Sequence, residues 1–388
     1  MKRILLSSPH MSGNEQTYIN EAFETNWIAP LGPNVSQFEK DIAKYVGVKS
    51  ATVTDSGTAA IHLALNVLGV SKGDSVFCST FTFVASANPV LYLGAEITFI
   101  DSEPETWNMS PVALYHALAE AKKNRQLPKA IVVVHLYGQS AKMDELLEIA
   151  DSFGVPIIED AAESLGSEYK GRKSGSLGKL GIYSFNGNKI ITTSGGGSLV
   201  SDDETLIERA VFLATQARDH APHYQHSLVG YNYRMSNVVA GIGRAQLEVL
   251  DDRVSKRRAI YNRYHEEFSS TEGITFMPEL INTKSNRWLT TLTIDPTILR
   301  VTPYEIMHSM DKKNIESRVL WKPLHLQPLF KNSAFYKHEH ETKPVSEELF
   351  STGLCLPSGS NMTEIEQEYV IDNLKILLKK RLLVKQSM

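Results

Sequence analysis

The chain has 388 residues, 42% of them hydrophobic and 22% charged, ordinary values for a globular protein and a length that suits two packed domains. Its formal charge of −4 is mild and its lysines and arginines are scattered, which excludes the basic footprint of a nucleic-acid or anionic-membrane binder. Two cysteines, Cys78 and Cys355, make neither a disulfide framework nor a thiolate metal site, so a reducing cytoplasm is expected.

Near the start, Ile4-Leu5-Leu6 is too short an apolar run for a signal peptide, and the strongest run, Ala130 to Val134, is far short of a membrane span. Two helices are expected before residue 49. In the second, Asn34 is read as the cap, Val35, Phe38, Ile42, Tyr45 and Val46 as the apolar stripe, and Gly47 as the stop. From about 49 to 200, short apolar runs (51–54, 75–79, 96–100, 130–135, 155–159, 181–185 and 198–201) alternate with helical patterns at 57–68, 110–123 and 143–153. That alternation predicts an α/β fold with a mostly parallel central sheet between helices. A long helix from Ser236 to about His265 follows. It leads into a smaller C-terminal α/β part with a β-rich run at 287–294, a helix at 303–312, a short strand at 316–320 and a last helix opened by the capping box Thr363 and Glu366. The expected division is a large domain at 1–245 and a small one at 246–388.

In an open parallel sheet, ligands gather at the carboxyl ends of the strands. Five segments there could carry chemistry. Asp55-Ser56-Gly57-Thr58-Ala59-Ala60 joins a strand to a helix; it is either a plain cap by Ser56 or Thr58, or a helix start open to phosphate. Glu159-Asp160 ends a strand, where a carboxylate is either a satisfied turn residue or the partner of a cationic ring nitrogen. Lys189 sits among small and apolar residues ahead of Gly195-Gly196-Gly197. It is either a surface loop lysine or an amine tuned by burial for Schiff-base chemistry. Phe81-Thr82-Phe83 offers an aromatic that either stacks on a flat ligand or belongs to the core. His220 to Arg234 is rich in polar aromatics and suits a binding or subunit surface; it lacks the acidic or cysteine ligands of a metal site, and no metal is expected. Walker-type and dinucleotide-binding glycine motifs are missing: Gly178-Lys179 is followed by Leu180, and Gly241-Ile242-Gly243 lies in a helical pattern.

In order, Trp27-Ile28-Ala29-Pro30-Leu31-Gly32-Pro33, Ser56 to Ala60, Glu159-Asp160-Ala161-Ala162-Glu163, Ser184-Phe185 with Lys189, Gly230 to Arg234 and Pro323-Leu324-His325 resemble the sugar aminotransferases of the DegT/DnrJ/EryC1/StrS type. The resemblance implies the aspartate aminotransferase-like fold (fold type I) and pyridoxal 5′-phosphate as cofactor. Lys189 would carry the cofactor as a Schiff base, Asp160 would pair with the pyridine nitrogen, and Glu163 would lie near the ring hydroxyl. Phe83 would stack on the ring, while Gly57, Thr58 and Ser184 would hold the phosphate. Asn232 would reach that phosphate from a partner subunit, which implies a homodimer with shared active sites. Trp27, Ile28, Pro30 and His325 would face the sugar, and Arg218 or Arg287 either its diphosphate or only their own loops. Phe185 to Gly197, Thr215 to Arg218, Ser285 to Trp288 and Cys355 to Gly359 further resemble the branch that aminates C4 of a UDP-linked 2-acetamido-4-keto-2,6-dideoxyglucose for exopolysaccharides and glycans, with L-glutamate as amino donor. A GDP-linked 4-keto-6-deoxymannose is the rival substrate. Dehydratase relatives carry histidine where this chain has Lys189, and a non-catalytic relative has no chemical need for Lys189, Asp160, Ser184 and Asn232 together.

Overall fold

The computed structural model describes residues 2–339 and 343–383. Its main sheet has eight strands, in the spatial order Ser50–Thr54, Gly197–Ser201, Leu180–Ser184, Ile157–Asp160, Ala130–Val134, Ser75–Ser79, Glu96–Ile100 and Ala334–Tyr336. Only Gly197–Ser201 runs against the others, so the sheet is mostly parallel as expected. Its centre is covered on both faces. Every residue of Ala130–Val134 is buried, which explains why that strand is continuously apolar, and after Ala130 it is β-branched throughout.

Local chemistry sets most of the ends. Gly47 closes Pro33–Val46 in the left-handed conformation (φ 81°), where a side chain is disfavoured. Pro156 has no N–H to give the ladder, so the strand expected at 155–159 begins at Ile157 and runs on to Asp160. The Thr363–Glu366 capping box is present.

Two readings are corrected. Asn34 is not a cap: Gly32 precedes the helix and Asn34 lies inside it, where its N–H donates to Asn237 Oδ1 at 2.8 Å. The side chain that caps this helix comes from another helix. The long helix expected from Ser236 is two, Asn237–Leu247 and Leu250–Phe268, broken around Glu248 and Val249.

The C-terminal part builds a four-stranded antiparallel sheet, ordered Ile274–Phe276, Thr290–Ile294, Gly353–Leu356, Arg318–Val319. Helices Pro303–Asp311 and Glu364–Leu383 share its apolar core through Ile306, Met310, Val370, Ile371 and Leu374. The same part also sends Ala334–Tyr336 back to the edge of the main sheet, a strand too short to show a period.

Candidate active site

The C-terminal ends of the central strands open into a cleft of about 320 Å³. It is lined by Gly57, Thr58, Phe83, Asp160, Glu163, Ser184 and Lys189, seven residues singled out from the sequence. Because side chains alternate along a strand, the adjacent carboxylates Glu159 and Asp160 part company. Asp160 faces the cleft and accepts from Ser86 Oγ at 2.6 Å and the Ala162 N–H at 3.2 Å. Glu159 turns to the other face and accepts from His135 Nε2 at 2.7 Å and from the N–H groups of Gly175, Leu177 and Gly178. His135 Nδ1 accepts the Ala141 N–H, so the ring proton sits on Nε2 and a neutral histidine meets an ionised glutamate. Burial alone would raise the Glu159 pKa; His135 and the backbone donors outweigh it and hold the group below the usual range.

Lys189 does not hang on a loose loop. Its N–H donates to Asn186 O at 2.9 Å, and the neighbouring Asn188 carbonyl accepts from Trp288 Nε1 at 2.8 Å and Ser7 Oγ at 2.7 Å. Ile190 and Ile191 are buried just beyond it. The ammonium lies 3.7 Å from Glu163 Oε1 and 4.3 Å from the Trp288 ring centre. Burial lowers the Lys189 pKa; Glu163 and Asp160 oppose that shift, and Arg318 adds to it. Burial likewise raises the Glu163 pKa, opposed by Lys189 and by the Tyr137 N–H, which donates to Oε2 at 2.7 Å. Such an amine gives up its proton more readily than a free lysine, as a nucleophilic or proton-transferring lysine must.

The helix start at Gly57 is pressed against its neighbours. A Cβ on Gly57 would fall 3.0 Å from Ser184 Cβ, and one on Gly197 would fall 2.5 Å from Gly57 N. Gly197 thus packs on the chain's own backbone, and it holds the helix's first turn, whose N–H groups have no intrahelical partner, at the cleft wall. Ser56 caps that helix by accepting the Ala59 N–H. Phe83 is half exposed and its ring lies 5.3 Å from that of Trp321, which lines the same cleft.

The remaining candidates lie elsewhere in this chain. Trp27, Ile28, Pro30, Arg218 and Asn232 are exposed and do not line the cleft. Arg218 stacks on Tyr224 and Asn232 accepts from Gln216. His325, expected toward the sugar, and Arg287, read as meeting either the diphosphate or only its own loop, do not line this cleft. Arg287 is buried, 3.1 Å from Glu279 and 3.7 Å from the Tyr261 ring centre. His325 is held by Thr80 and Glu347 and stacks on Phe335 at 3.7 Å. Sequence reasoning missed Ser86, Tyr137 and Trp321. None stands in a motif, and each is joined to the site by a contact distant in sequence.

Residues 9–375 match the DegT/DnrJ/EryC1/StrS aminotransferase family. The chain belongs to this family. It is 62% identical over 371 residues to a putative pyridoxal phosphate-dependent aminotransferase, EpsN, of Bacillus subtilis, covering 96% of this chain and 95% of that one. A GDP-perosamine synthase of Caulobacter vibrioides is 36% identical, over 96% and 97% of the two chains. Among solved structures, a DegT/DnrJ/EryC1/StrS aminotransferase from Brucella abortus superposes with a TM-score of 0.86 at 28% identity, over 94% of this chain and 95% of that one. The protein is therefore a pyridoxal phosphate-dependent sugar aminotransferase of fold type I. The cleft fits such a cofactor. It offers an amine of lowered pKa, a carboxylate fixed by Ser86, an open helix start and a buried Asn188 Oδ1 with no hydrogen-bond partner among the described residues. No helix among the described residues is long and apolar enough to cross a membrane.

Proposed function

We propose that this enzyme moves an amino group from L-glutamate to C4 of a nucleotide-linked 4-keto-6-deoxy sugar, UDP-2-acetamido-4-keto-2,6-dideoxyglucose, in the cytoplasm for exopolysaccharide or glycan synthesis. The observation that carries the reading is the meeting of Lys189, Asp160 and Glu163 with the Gly57 helix start in one cleft. Pyridoxal phosphate, when bound, draws electrons from the carbon that loses its proton and so lets an amine and a carbonyl exchange. Lys189 Nζ takes that proton from the donor's α-carbon and returns it, as general base and then acid. Asp160 keeps a proton at the ring nitrogen, and Ser86 holds Asp160 in place. Gly57, Thr58 and Ser184 would receive the phosphate, and Phe83 and Glu163, which line the same cleft, would hold the ring.

The exposed Asn232 loop and the Trp27–Pro30 loop serve the site of a partner subunit in a homodimer, with Arg218 available to the diphosphate. The UDP sugar is supported by the Phe185–Gly197, Thr215–Arg218, Ser285–Trp288 and Cys355–Gly359 segments. A second reading, amination of GDP-4-keto-6-deoxymannose, is favoured by the likeness to a GDP-perosamine synthase. Incubation of the enzyme with glutamate and a panel of UDP-, GDP- and dTDP-linked 4-keto sugars, read by mass spectrometry, separates them. Amination of the UDP sugar alone is expected, preference for the GDP sugar replaces the first reading with the second, and no amination of any sugar overturns both.

A further inference from the structure

Tyr137 has no role in the reading above, yet it touches three walls of the cleft. It is 1% exposed and its backbone is left-handed (φ 52°, ψ 17°), a conformation that costs a bulky residue energy and persists only where surroundings impose it. The surroundings do so. On one side the Leu136 N–H donates to Asn108 Oδ1 at 2.8 Å; on the other the Gly138 carbonyl accepts from Ser167 Oγ at 2.7 Å. Gly138 is itself left-handed (φ 98°), and a Cβ there would fall 2.0 Å from Asn286 Oδ1. The turn aims the Tyr137 N–H at Glu163 Oε2, 2.7 Å away. Its ring lies stacked beside that of Trp288, the ring over which Lys189 Nζ sits, with centroids 6.2 Å apart. Its hydroxyl accepts the Trp321 N–H at 3.0 Å.

We infer that Tyr137 is a positioning residue: its left-handed turn fixes a backbone donor on Glu163 and thereby sets how much negative charge faces Lys189. The inference rests on Lys189 being the reacting amine. The charged and titratable groups around the Lys189–Glu163 pair are Asp160, Arg318, Tyr137 itself and, beside the tyrosine, Cys355. The Tyr137 N–H is the neutral donor on Glu163, held there by the left-handed turn. With that donor in place Glu163 ionises more easily and Lys189 keeps its proton to a higher pH. With the donor turned away both effects reverse.

The test compares Tyr137→Gly, which adopts the left-handed turn freely, with Tyr137→Val, which resists it; both lose the ring and the hydroxyl. Cofactor-free protein is labelled with acetic anhydride across pH, and acetylation of the Lys189 peptide is read by mass spectrometry. The Gly variant is expected to keep the wild-type midpoint. The Val variant is expected to move it down by about half a pH unit, about a threefold faster labelling at neutral pH. Tyr137→Ala, expected between the two, substitutes should the Val variant not fold. Equal midpoints for Gly and Val, or for Gly and Ala in that case, overturn the inference. A displaced midpoint in the Gly variant overturns it as well, because the ring would then matter and not the donor. No sugar enters the measurement, so its failure leaves the reading of Lys189 standing, whereas unchanged turnover by a Lys189 variant would remove that reading alone.

Discussion

Lys189 Nζ and Glu163 Oε1 lie 3.7 Å apart, both side chains withdrawn from water, in a cleft that also holds Asp160. The first consequence concerns Lys189. Lys189→Ala is expected to give a colourless protein, because no amine remains to bind the cofactor aldehyde, and to lose about 10²- to 10⁴-fold in kcat through the missing proton transfer. Borohydride treatment of the wild type followed by peptide mapping should fix the chromophore on Lys189. Normal turnover by the alanine variant would refute the assignment.

The Glu163 partner predicts a pH effect with a definite sign. Burial lowers the Lys189 pKa and the Glu163 carboxylate opposes it, so removing that charge lets the pKa fall further. In Glu163→Gln the neutral amine is therefore populated at lower pH, and the pH profile for rebinding pyridoxal phosphate to the cofactor-free enzyme should move toward acid. An unmoved profile would mean that Glu163 is already protonated in the working range, and a shift toward alkali would refute the coupling.

Ser86 gives a milder case. Its hydroxyl donates to Asp160 Oδ2 at 2.6 Å, and the backbone of Ala162 supplies a second donor at 3.2 Å. Ser86→Ala removes one hydrogen bond to a charged group, about 1.5–3 kcal/mol, and so caps the loss in kcat at about 10- to 150-fold. Asp160→Asn, which cannot hold a proton on the ring nitrogen by charge, should fall below it. Kinetics of both variants at saturating cofactor check the order.

These partners also mark where the sequence stops being informative. The strand at 130–134, the stop at Gly47 and the box at Thr363–Glu366 are written in neighbouring residues and could be read from them. The capping of Pro33–Val46 could not, since its acceptor belongs to Asn237, 203 positions away. The same distance effect hid Ser86 and Tyr137, which act through contacts to Asp160 and Glu163 that only the sheet brings about. The strand-end acid pair was legible and the resemblance picked out Asp160, but the alternation of side chains is the physical reason that Asp160 faces the cleft and Glu159 the body. His325 shows the converse: its motif position is clear in the sequence, while its partners Phe335, Glu347 and Thr80 are not.

The buried pair on the far face predicts a stability effect separable from catalysis. His135 and Glu159 are both fully buried at 2.7 Å. His135→Leu removes a hydrogen bond to a charged group, about 1.5–3 kcal/mol, and leaves the Ala141 N–H without its acceptor, while the backbone donors still hold the carboxylate. Thermal unfolding should show a lowered Tm, while kcat per folded molecule stays near the wild type because Glu159 points away from the cleft. A variant of unchanged Tm and lost activity would contradict the separation.

The shared-site dimer can be tested by complementation. Asn232 is exposed here and does not line the cleft that holds Lys189 in its own chain. If each site takes Lys189 from one subunit and Asn232 from the other, a heterodimer of Lys189→Ala and Asn232→Ala subunits has one site with both defects and one with neither. Random mixing makes half of all dimers mixed, so about a quarter of wild-type activity should return from two impaired parents. Should each chain instead supply both residues to its own site, every site in the mixture carries one defect and nothing beyond the parents' average is recovered. Unfolding and refolding the two variants together, with the separately treated parents as controls, reads the difference directly, provided cofactor is kept low enough that the Asn232 variant depends on its missing phosphate contact.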